Sequence, residues 1–248
     1  MYRRTAALSA LVAAGVAGCG SPAGAPSITV LAAASLKPTF TQIGERFMTE
    51  HPGTTVRFDF ASSSDLAAQL TQGATGDVFA SADTAQMDTV ATAGLLATAP
   101  VDFASNTLVI VTAPGNPKHV ASFADLAQPG LAVVVSPPPM PCGVATRRVE
   151  DLTGVHLDPV SEEPDPEDVL NKVATGEADA GVVNATDARA AGEKISTVAF
   201  PEAVQAASSY PIAALQKSAQ PALAQGFVDL VTGVTGQQIL ARAGFAKP

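Results

Sequence analysis

The chain has 248 residues, of which 47% are hydrophobic and 15% charged, so it can build one or two globular lobes with a large core. Its 14 basic and 23 acidic residues give a formal net charge of −9, and without a basic run this excludes nucleic acid as a partner. The two cysteines and three scattered histidines have no zinc-ligand spacing, so a zinc site is excluded too.

The N-terminus has the pattern of an export signal. Arg3 and Arg4 precede an apolar stretch, residues 6–18, and Cys19 follows directly after small residues. At roughly 13 residues the stretch is shorter than the ~20 that a permanent membrane span needs. Cys19 resembles the acylated first residue of bacterial lipoproteins, although an ordinary signal with an incidental cysteine is the alternative.

Residues 1–18 are therefore predicted to be a signal peptide, and residues 19–26 a lipidated, flexible tether rich in Gly, Pro and Ser. If Cys19 is lipidated, Cys142 has no partner for an intrachain disulfide. No later stretch is long and apolar enough for a transmembrane helix, so the chain is expected to be exported and held at the outer face of the cell membrane.

After the tether, strand patterns alternate with helix patterns. Strands are predicted at 28–32, 56–60, 107–111, 131–135 and 210–214. A brief strand running into a turn is predicted within 76–83, and a turn followed by a short strand within 176–184. Helices are predicted at 36–47, 66–70, 84–93, 142–152, from 165 onward, at 223–231 and at 238–243. This alternation predicts an α/β fold with parallel sheets, in which 107–111 crosses to a second lobe and 210–214 returns.

Two serine-bearing turns, 33–36 and 61–65, each follow a predicted strand and precede a predicted helix. Ser35 and one serine of 62–64 therefore lie at helix N-termini, where the first N–H groups lack intrahelical partners. One such hydroxyl usually caps its helix. Two of them at neighbouring strand ends favour a site that binds an anion without a counter-charge.

Two further helix starts follow the same logic. The proline-rich segment 136–141 is stiff and leaves Cys142, Gly143 and Val144 as the first residues with free N–H groups. Asp165 is a predicted N-cap with Pro166 at the first helical position. Each of these starts alone is more typical of an ordinary stiff loop or helix cap.

With these segments in place, residues 27–248 resemble the molybdate-binding proteins of bacterial ABC importers. Six stretches in order carry the resemblance: 28–36, 60–64, 77–83, 141–143, 166–169 and 243–245. It implies a two-lobed periplasmic-binding-protein fold of type II, each lobe a mostly parallel sheet flanked by helices, with the ligand in the cleft between them. It also implies that lobe 1 comprises 27–105 plus 210–248 and lobe 2 comprises 106–209, with hinges at 105–106 and 209–210.

The resemblance also implies the ligand contacts. Ser35 and Ser63 would each donate through the hydroxyl and the backbone N–H, Cys142 and Val169 through the backbone N–H, and Asn184 through its side chain. Cys142 stands where alanine is usual, which matters little if only its N–H is used. Asn184 stands where many members have a tyrosine, so a water or closer lobes fill the gap, or this contact is lost.

The implied function is capture of molybdate, and of tungstate, for delivery to an ABC permease and its ATPase by a monomeric protein that is not an enzyme and needs no cofactor. A fully deprotonated tetrahedral oxyanion offers only acceptors, which suits a site built only of donors and helix N-termini. Because none of these donors titrates near neutrality, the affinity is expected to be nearly flat between pH 6 and 8. A steep loss would indicate a histidine or carboxylate in the site.

Other cargo and another class remain open. The same fold could bind sulfate, phosphate, a carboxylate clamped by Arg147 and Arg148, or a metal ion held by the acidic run 162–168. An exported serine hydrolase is the alternative of a different class, although the chain has no Gly-x-Ser-x-Gly motif.

Overall fold

The computed structural model describes residues 25–138 and 140–248. The predicted signal peptide, the lipidation site at Cys19 and most of the tether lie outside the described residues. Within them, the chain forms two five-stranded sheets, each with helices packed on both faces.

The strands and helices alternate along the chain as the sequence predicts. The strands are β1 (Ser27–Ala33), β2 (Thr55–Ala61), β3 (Val78–Ala80), β4 (Val101–Asn106), β5 (Leu108–Thr112), β6 (Val133–Val135), β7 (Ser161–Glu162), β8 (Ala180–Asn184), β9 (Ser196–Val198) and β10 (Ser208–Ala214). The helices are α1 (Lys37–Glu50), α2 (Ser63–Thr71), α3 (Thr84–Thr92), α4 (Pro141–Thr153), α5 (Pro166–Thr175), α6 (Ala185–Ala191), α7 (Pro221–Thr232) and α8 (Val234–Arg242). No helix in the described part of the chain is long and apolar enough to span a bilayer.

Each sheet contains one strand that runs against the other four. The first sheet has the order β2-β1-β3-β10-β4, with β10 antiparallel to both of its neighbours. The second has the order β7-β6-β8-β5-β9, with β5 antiparallel to both of its neighbours. The reversed strand is in each case the one that enters from the other sheet, and the remaining strands follow the predicted parallel pattern.

Alternation along β1 explains why the first sheet is covered on both faces. Val30 points into a cluster with Phe40 of α1 and Phe227 of α7, while Leu31 points to the opposite face, against Phe79 and the helices α2 and α3. The second sheet divides in the same way between a cluster beneath α4 and a cluster beneath α5 and α6. Both sheets are therefore central layers, which fixes the strand ends as the places where loops can form a site.

The two crossings between the sheets lie side by side. Thr107 joins β4 to β5, and β10 returns to the first sheet, where Ser209 pairs with Ser105. The proposed hinges at 105–106 and 209–210 are thus on neighbouring antiparallel strands. Two adjacent connections are the arrangement that a hinge between lobes requires.

Two elements that border the site are absent from the predicted set. The strand β4 has weak strand patterning and is held at the edge of the sheet by β10 and by the chain end, where Ser105 and Ala246 exchange backbone hydrogen bonds. The helix α6 has only seven residues, too few for a 3.6-residue period to show. Both depend on partners distant in sequence.

A candidate oxyanion-binding cleft

The two predicted serine turns lie next to each other in space. Strands β1 and β2 are parallel neighbours with Ala33 opposite Ala61, and Ser35 and Ser63 each follow two residues later. Because parallel strands end at the same edge, both serines stand at the same edge of the first sheet. The adjacency of the turns therefore follows from the strand register.

Within the second turn, the capping and the candidate binding roles fall on different serines. Ser62 is the N-cap of α2, and its Oγ accepts the N–H of Asp65 at 3.1 Å. Ser63 is the first residue of the helix, is 8% exposed, and its Oγ accepts the N–H of Ala82 at 2.9 Å. Since that bond uses a lone pair of Ser63, its hydroxyl proton stays available for a ligand.

Ser35 has a partner that the sequence patterns did not predict. Its Oγ lies 3.3 Å from the hydroxyl oxygen of Tyr210 on β10. Burial raises the pKa of Tyr210 to about 12, although contacts with Ser35 and Asn106 act to lower it, so the phenol stays neutral at physiological pH. A buried tyrosine hydroxyl needs a hydrogen-bond partner. A tyrosine in an apolar strand therefore indicates that a second polar group lies near it, but the sequence does not say which residue that is.

In the second sheet, Cys142 and Asn184 meet in the same way. Strands β6 and β8 are parallel neighbours, and α4 and α6 begin beyond their carboxyl ends. Burial raises the pKa of the Cys142 thiol to about 12, helped by the charge of Asp187 and opposed by a hydrogen bond from the backbone of Asn184. The thiol is thus neutral, and within the described residues it forms no disulfide; the stronger donor at this position is the N–H of Cys142, in the first turn of α4.

A glycine permits the proline-rich loop to lie against the start of α4. A Cβ on Gly143 would lie 2.3 Å from both the carbonyl carbon and the carbonyl oxygen of Pro137. These are backbone atoms, which cannot move aside without strain in the loop, so only glycine fits at this position. The position of the N-terminal turn of α4, and with it Cys142, depends on this close approach.

Val169 is placed differently from the other predicted contacts. Its side chain is fully buried, and its N–H already donates to the carbonyl of Asp165 at 3.3 Å. Asp165 also caps α5 by accepting the N–H of Glu167 at 2.9 Å. Donation from Val169 to an anion therefore requires that its long intrahelical bond be shared or exchanged.

Asn184 lies beside a carboxylate that the sequence analysis did not identify. Its Nδ2 donates to Oδ2 of Asp187 at 3.1 Å, which uses one of its two amide hydrogens and leaves the other. Burial raises the pKa of Asp187 to about 6, partly offset by the hydrogen bonds from Asn184. The expectation of a flat affinity between pH 6 and 8 considered only the predicted ligand residues, and Asp187 is a titratable group beside one of them.

The two halves of the candidate site approach each other at the crossing. The charge of Asp187, from the second lobe, acts on the phenol of Tyr210 on β10, which in turn contacts Ser35. Nearby, Asn106 of β4 donates through Nδ2 to Oγ1 of Thr186 on α6 at 2.8 Å, with both side chains buried. Ser35 of the first lobe and Asp187, the partner of Asn184 in the second, thus lie on either side of Tyr210.

The arginine clamp for a carboxylate and the metal site are not formed within the described residues, whereas sulfate and phosphate need no side chains of that kind. Arg147 is exposed and pairs with Glu150 at 2.7 Å, while Glu163 of the acidic run pairs with Lys172. The part of the chain that the structure describes contains no cluster of three metal-binding side chains. Among the same residues, no histidine hydrogen-bonds to a serine, as a serine hydrolase would require.

Comparison with known proteins agrees with this geometry. Residues 28–246 match the family of bacterial extracellular solute-binding proteins. The chain belongs to that family. It is 58% identical to the molybdate-binding protein ModA of Mycobacterium tuberculosis, over 98% of this chain and 97% of that protein. The family is one of binding proteins and not of enzymes, and its extracellular members agree with the predicted export.

Solved structures show how this solute-binding protein is folded. The substrate-binding domain of a putative molybdenum ABC transporter from Clostridium difficile superposes with a TM-score of 0.77 at 25% identity, covering 90% of this chain and 99% of that one. The sulfate-binding protein SubI from Mycobacterium tuberculosis superposes with a TM-score of 0.72 at 20% identity, covering 90% and 87%, which supports the fold alone. The two-lobed type II periplasmic-binding fold expected from the sequence is confirmed.

Proposed function

We propose that this solute-binding protein captures molybdate outside the cell membrane and delivers it to an ABC importer. The observation that carries the proposal is its 58% identity, over 98% of the chain, to a protein named for molybdate binding. That similarity spans both lobes and the helix starts that border the cleft. The family alone would leave the cargo open.

The chemistry of the cleft supports an anion with no proton of its own. Its candidate donors are hydroxyls, backbone N–H groups and an amide, and the described cations Arg147 and Lys172 are engaged with carboxylates elsewhere. A fully deprotonated tetrahedral oxyanion can accept from every such donor. A protonated anion would turn a hydrogen toward another donor and bind less well.

We assign the ligand contacts to Ser35 and Ser63 in the first lobe and to Cys142, Val169 and Asn184 in the second. The free hydroxyl proton of Ser63 and the remaining amide hydrogen of Asn184 support their roles. Val169 needs its bond to Asp165 to be shared, which closure of the lobes around the anion would favour.

The wider assignments rest on the sequence. Tungstate has nearly the size and charge of molybdate and is proposed as a second ligand. A lipid at Cys19 would hold the protein, as a monomer, at the outer face of the membrane beside an ABC permease and its ATPase. Lobe 1 is assigned to 27–105 plus 210–248, and lobe 2 to 106–209, with the hinge at the paired residues Ser105 and Ser209.

A panel of oxyanions tests the proposed cargo. The chain lacking residues 1–19, which retains every described element, is melted with millimolar molybdate, tungstate, sulfate, phosphate or a carboxylate. Because a ligand stabilises the folded state by RT ln(1 + [L]/Kd), we expect molybdate and tungstate to raise the melting temperature by several degrees. A response to sulfate or phosphate in place of molybdate would assign another cargo to the fold, and no response at all would refute oxyanion capture.

Ser63→Ala tests the assigned site. Hydrogen bonds to charged groups contribute about 1.5–3 kcal/mol, so calorimetry should show molybdate affinity reduced by roughly 10-fold to 150-fold. The matched control is Ser64→Ala, since Ser64 is exposed and, among the described residues, its hydroxyl hydrogen-bonds only to the capping residue Ser62. Equal losses in the two variants would contradict the assignment, and loss of an esterase activity instead would favour the hydrolase.

A further inference from the structure

The candidate cleft contains an acidic group that an anion site would be expected to exclude. Asp187 accepts a hydrogen bond from Nδ2 of Asn184 at 3.1 Å. If the second hydrogen of the same nitrogen donates to the oxyanion, a single NH₂ group separates the carboxylate from the ligand. Two hydrogen bonds of ~3 Å from one trigonal nitrogen place their acceptor oxygens about 5 Å apart.

The surroundings of Asp187 make its negative charge unfavourable. Asp165 and Glu167, at the start of α5, add negative charge toward it. Cys142 of α4 and Tyr210 of β10 face it as neutral groups, because burial raises both of their pKa values to about 12. Arg189 lies on the same helix as Asp187, α6, but its side chain packs against Gly244 in the C-terminal segment.

A pocket beside Asp187 offers solvent a route toward this residue. A pocket of about 290 Å³ between α5 and α6 is lined by Asp187 together with Glu167, Asn171 and Lys194. This pocket is the route by which a proton would reach Asp187. Lys194 is the basic group in this lining.

We propose that Asp187 is a proton-accepting positioning residue of the oxyanion site, so that each doubly negative anion is bound together with a proton taken from solvent onto the Asp187 carboxylate. This inference rests on the proposed function. The carboxylate holds the amide of Asn184 with its NH₂ group available to the ligand, and its protonation removes the repulsion that the ligand would otherwise meet. No other bond is made or broken.

The sign of the pH dependence follows from this linkage. The free site holds Asp187 with a pKa of about 6, and a bound dianion raises that pKa further. Affinity is then highest below about pH 6 and falls as the pH rises, by up to about 10-fold per pH unit, until the pKa of the bound form is passed.

Titration calorimetry with sodium molybdate tests the proposal, using the chain lacking residues 1–19 at pH 7 in buffers of different ionisation enthalpy. We expect the measured heat to vary with the buffer, in proportion to an uptake of a substantial fraction of one proton per anion, and the affinity to fall from pH 6 to pH 8. Asp187→Asn keeps an oxygen acceptor for Asn184 and should abolish both effects. The control Asp168→Asn removes an exposed charge of the same sign and should preserve both.

Heat that is independent of the buffer in the unmodified protein, or uptake that persists in Asp187→Asn, would overturn the proposal. If Asp187→Asn does not fold, Glu167→Gln is the deciding variant. Removing this nearby negative charge should lower the pKa of Asp187 and so move the pH range over which affinity falls to lower pH. An unchanged pH range would count against Asp187. Molybdate binding without proton uptake refutes only this inference, whereas no binding at any pH refutes the proposed function.

Discussion

At the scale of single residues, the hydroxyl groups of the candidate cleft are prepared by other protein groups. Ser63 accepts a backbone N–H, and Ser35 lies within hydrogen-bonding distance of the neutral phenol of Tyr210. When the protein supplies the donor to a hydroxyl oxygen, the hydroxyl proton has no internal competitor and turns toward the ligand. Such pre-organisation lowers the entropy lost on binding.

Tyr210→Phe tests this preparation of Ser35. The ring should stay in place, since it packs edge-on against Phe103 and Phe245 at centroid distances of 6.3 and 5.3 Å. Loss of the hydroxyl removes one hydrogen bond of about 0.5–1.5 kcal/mol, so molybdate affinity should fall by roughly 2-fold to 12-fold.

The double variant Ser35→Ala, Tyr210→Phe supplies the comparison for that measurement. If Tyr210 acts through Ser35, calorimetry should show a double loss close to that of Ser35→Ala alone. Fully additive losses would mean that the phenol acts independently of Ser35.

At the scale of elements, the candidate site depends on where α2, α4, α5, α6 and the short 3-10 turn Ala34–Leu36, which contains Ser35, begin after their strands. The start of α4 is the most constrained, because Gly143 touches the backbone of Pro137 and the prolines before it cannot adjust. The start of α5 is held by its own cap, Asp165, which accepts three N–H groups of the first turn, one through its side chain and two through its carbonyl. These starts were recognisable from local residues because capping chemistry is local.

Gly143→Ala should therefore displace the first turn of α4. The added Cβ would be 2.3 Å from Pro137 atoms, so we expect molybdate affinity to fall by at least about 10-fold, with a cost in stability of roughly 1–3 kcal/mol from overpacking.

The matched control is Gly226→Ala in α7, where the nearest atom to a new Cβ is 3.6 Å away, on the ring of Phe47. It should bind normally and be slightly more stable in urea unfolding, because alanine is the better helix former. Equal affinity in both variants would show that the position of the α4 start is unimportant for the ligand.

At the scale of the whole molecule, the two lobes are joined by more than the chain crossings. Asn106 ends the last strand of the first sheet before the crossing, and its Nδ2 reaches Thr186 on α6 of the second lobe at 2.8 Å. The former is 2% and the latter 9% exposed, so water cannot easily replace either partner. This buried bond ties the hinge region to the helix that carries Asp187.

Thr186→Val should remove the hydrogen bond between Asn106 and Thr186 with little change in side-chain volume. It leaves the Asn106 amide buried and without its acceptor, at a cost of about 1–3 kcal/mol, which thermal unfolding should report as a lower melting temperature by about 2–4 °C for each kcal/mol. Thr232→Val is the control, since Thr232 bonds only to its own helix through the carbonyls of Val228 and Asp229. Equal decreases in melting temperature in the two variants would show that the hydrogen bond between Asn106 and Thr186 has no special role in joining the lobes.

Local patterns in the sequence determined the order of most strands and helices, the two serine turns and the class of donor in the site. They could do so because periodicity, capping and proline stiffness act over a few residues. Only the tertiary structure decided that Tyr210 faces Ser35, since these residues are 175 positions apart, and that Asp187, on a helix too short to recognise, lies close enough to act on the pKa values of Cys142 and Tyr210. Contacts of this kind, and the pKa values that burial shifts, depend on which strand ends the folded sheets bring together.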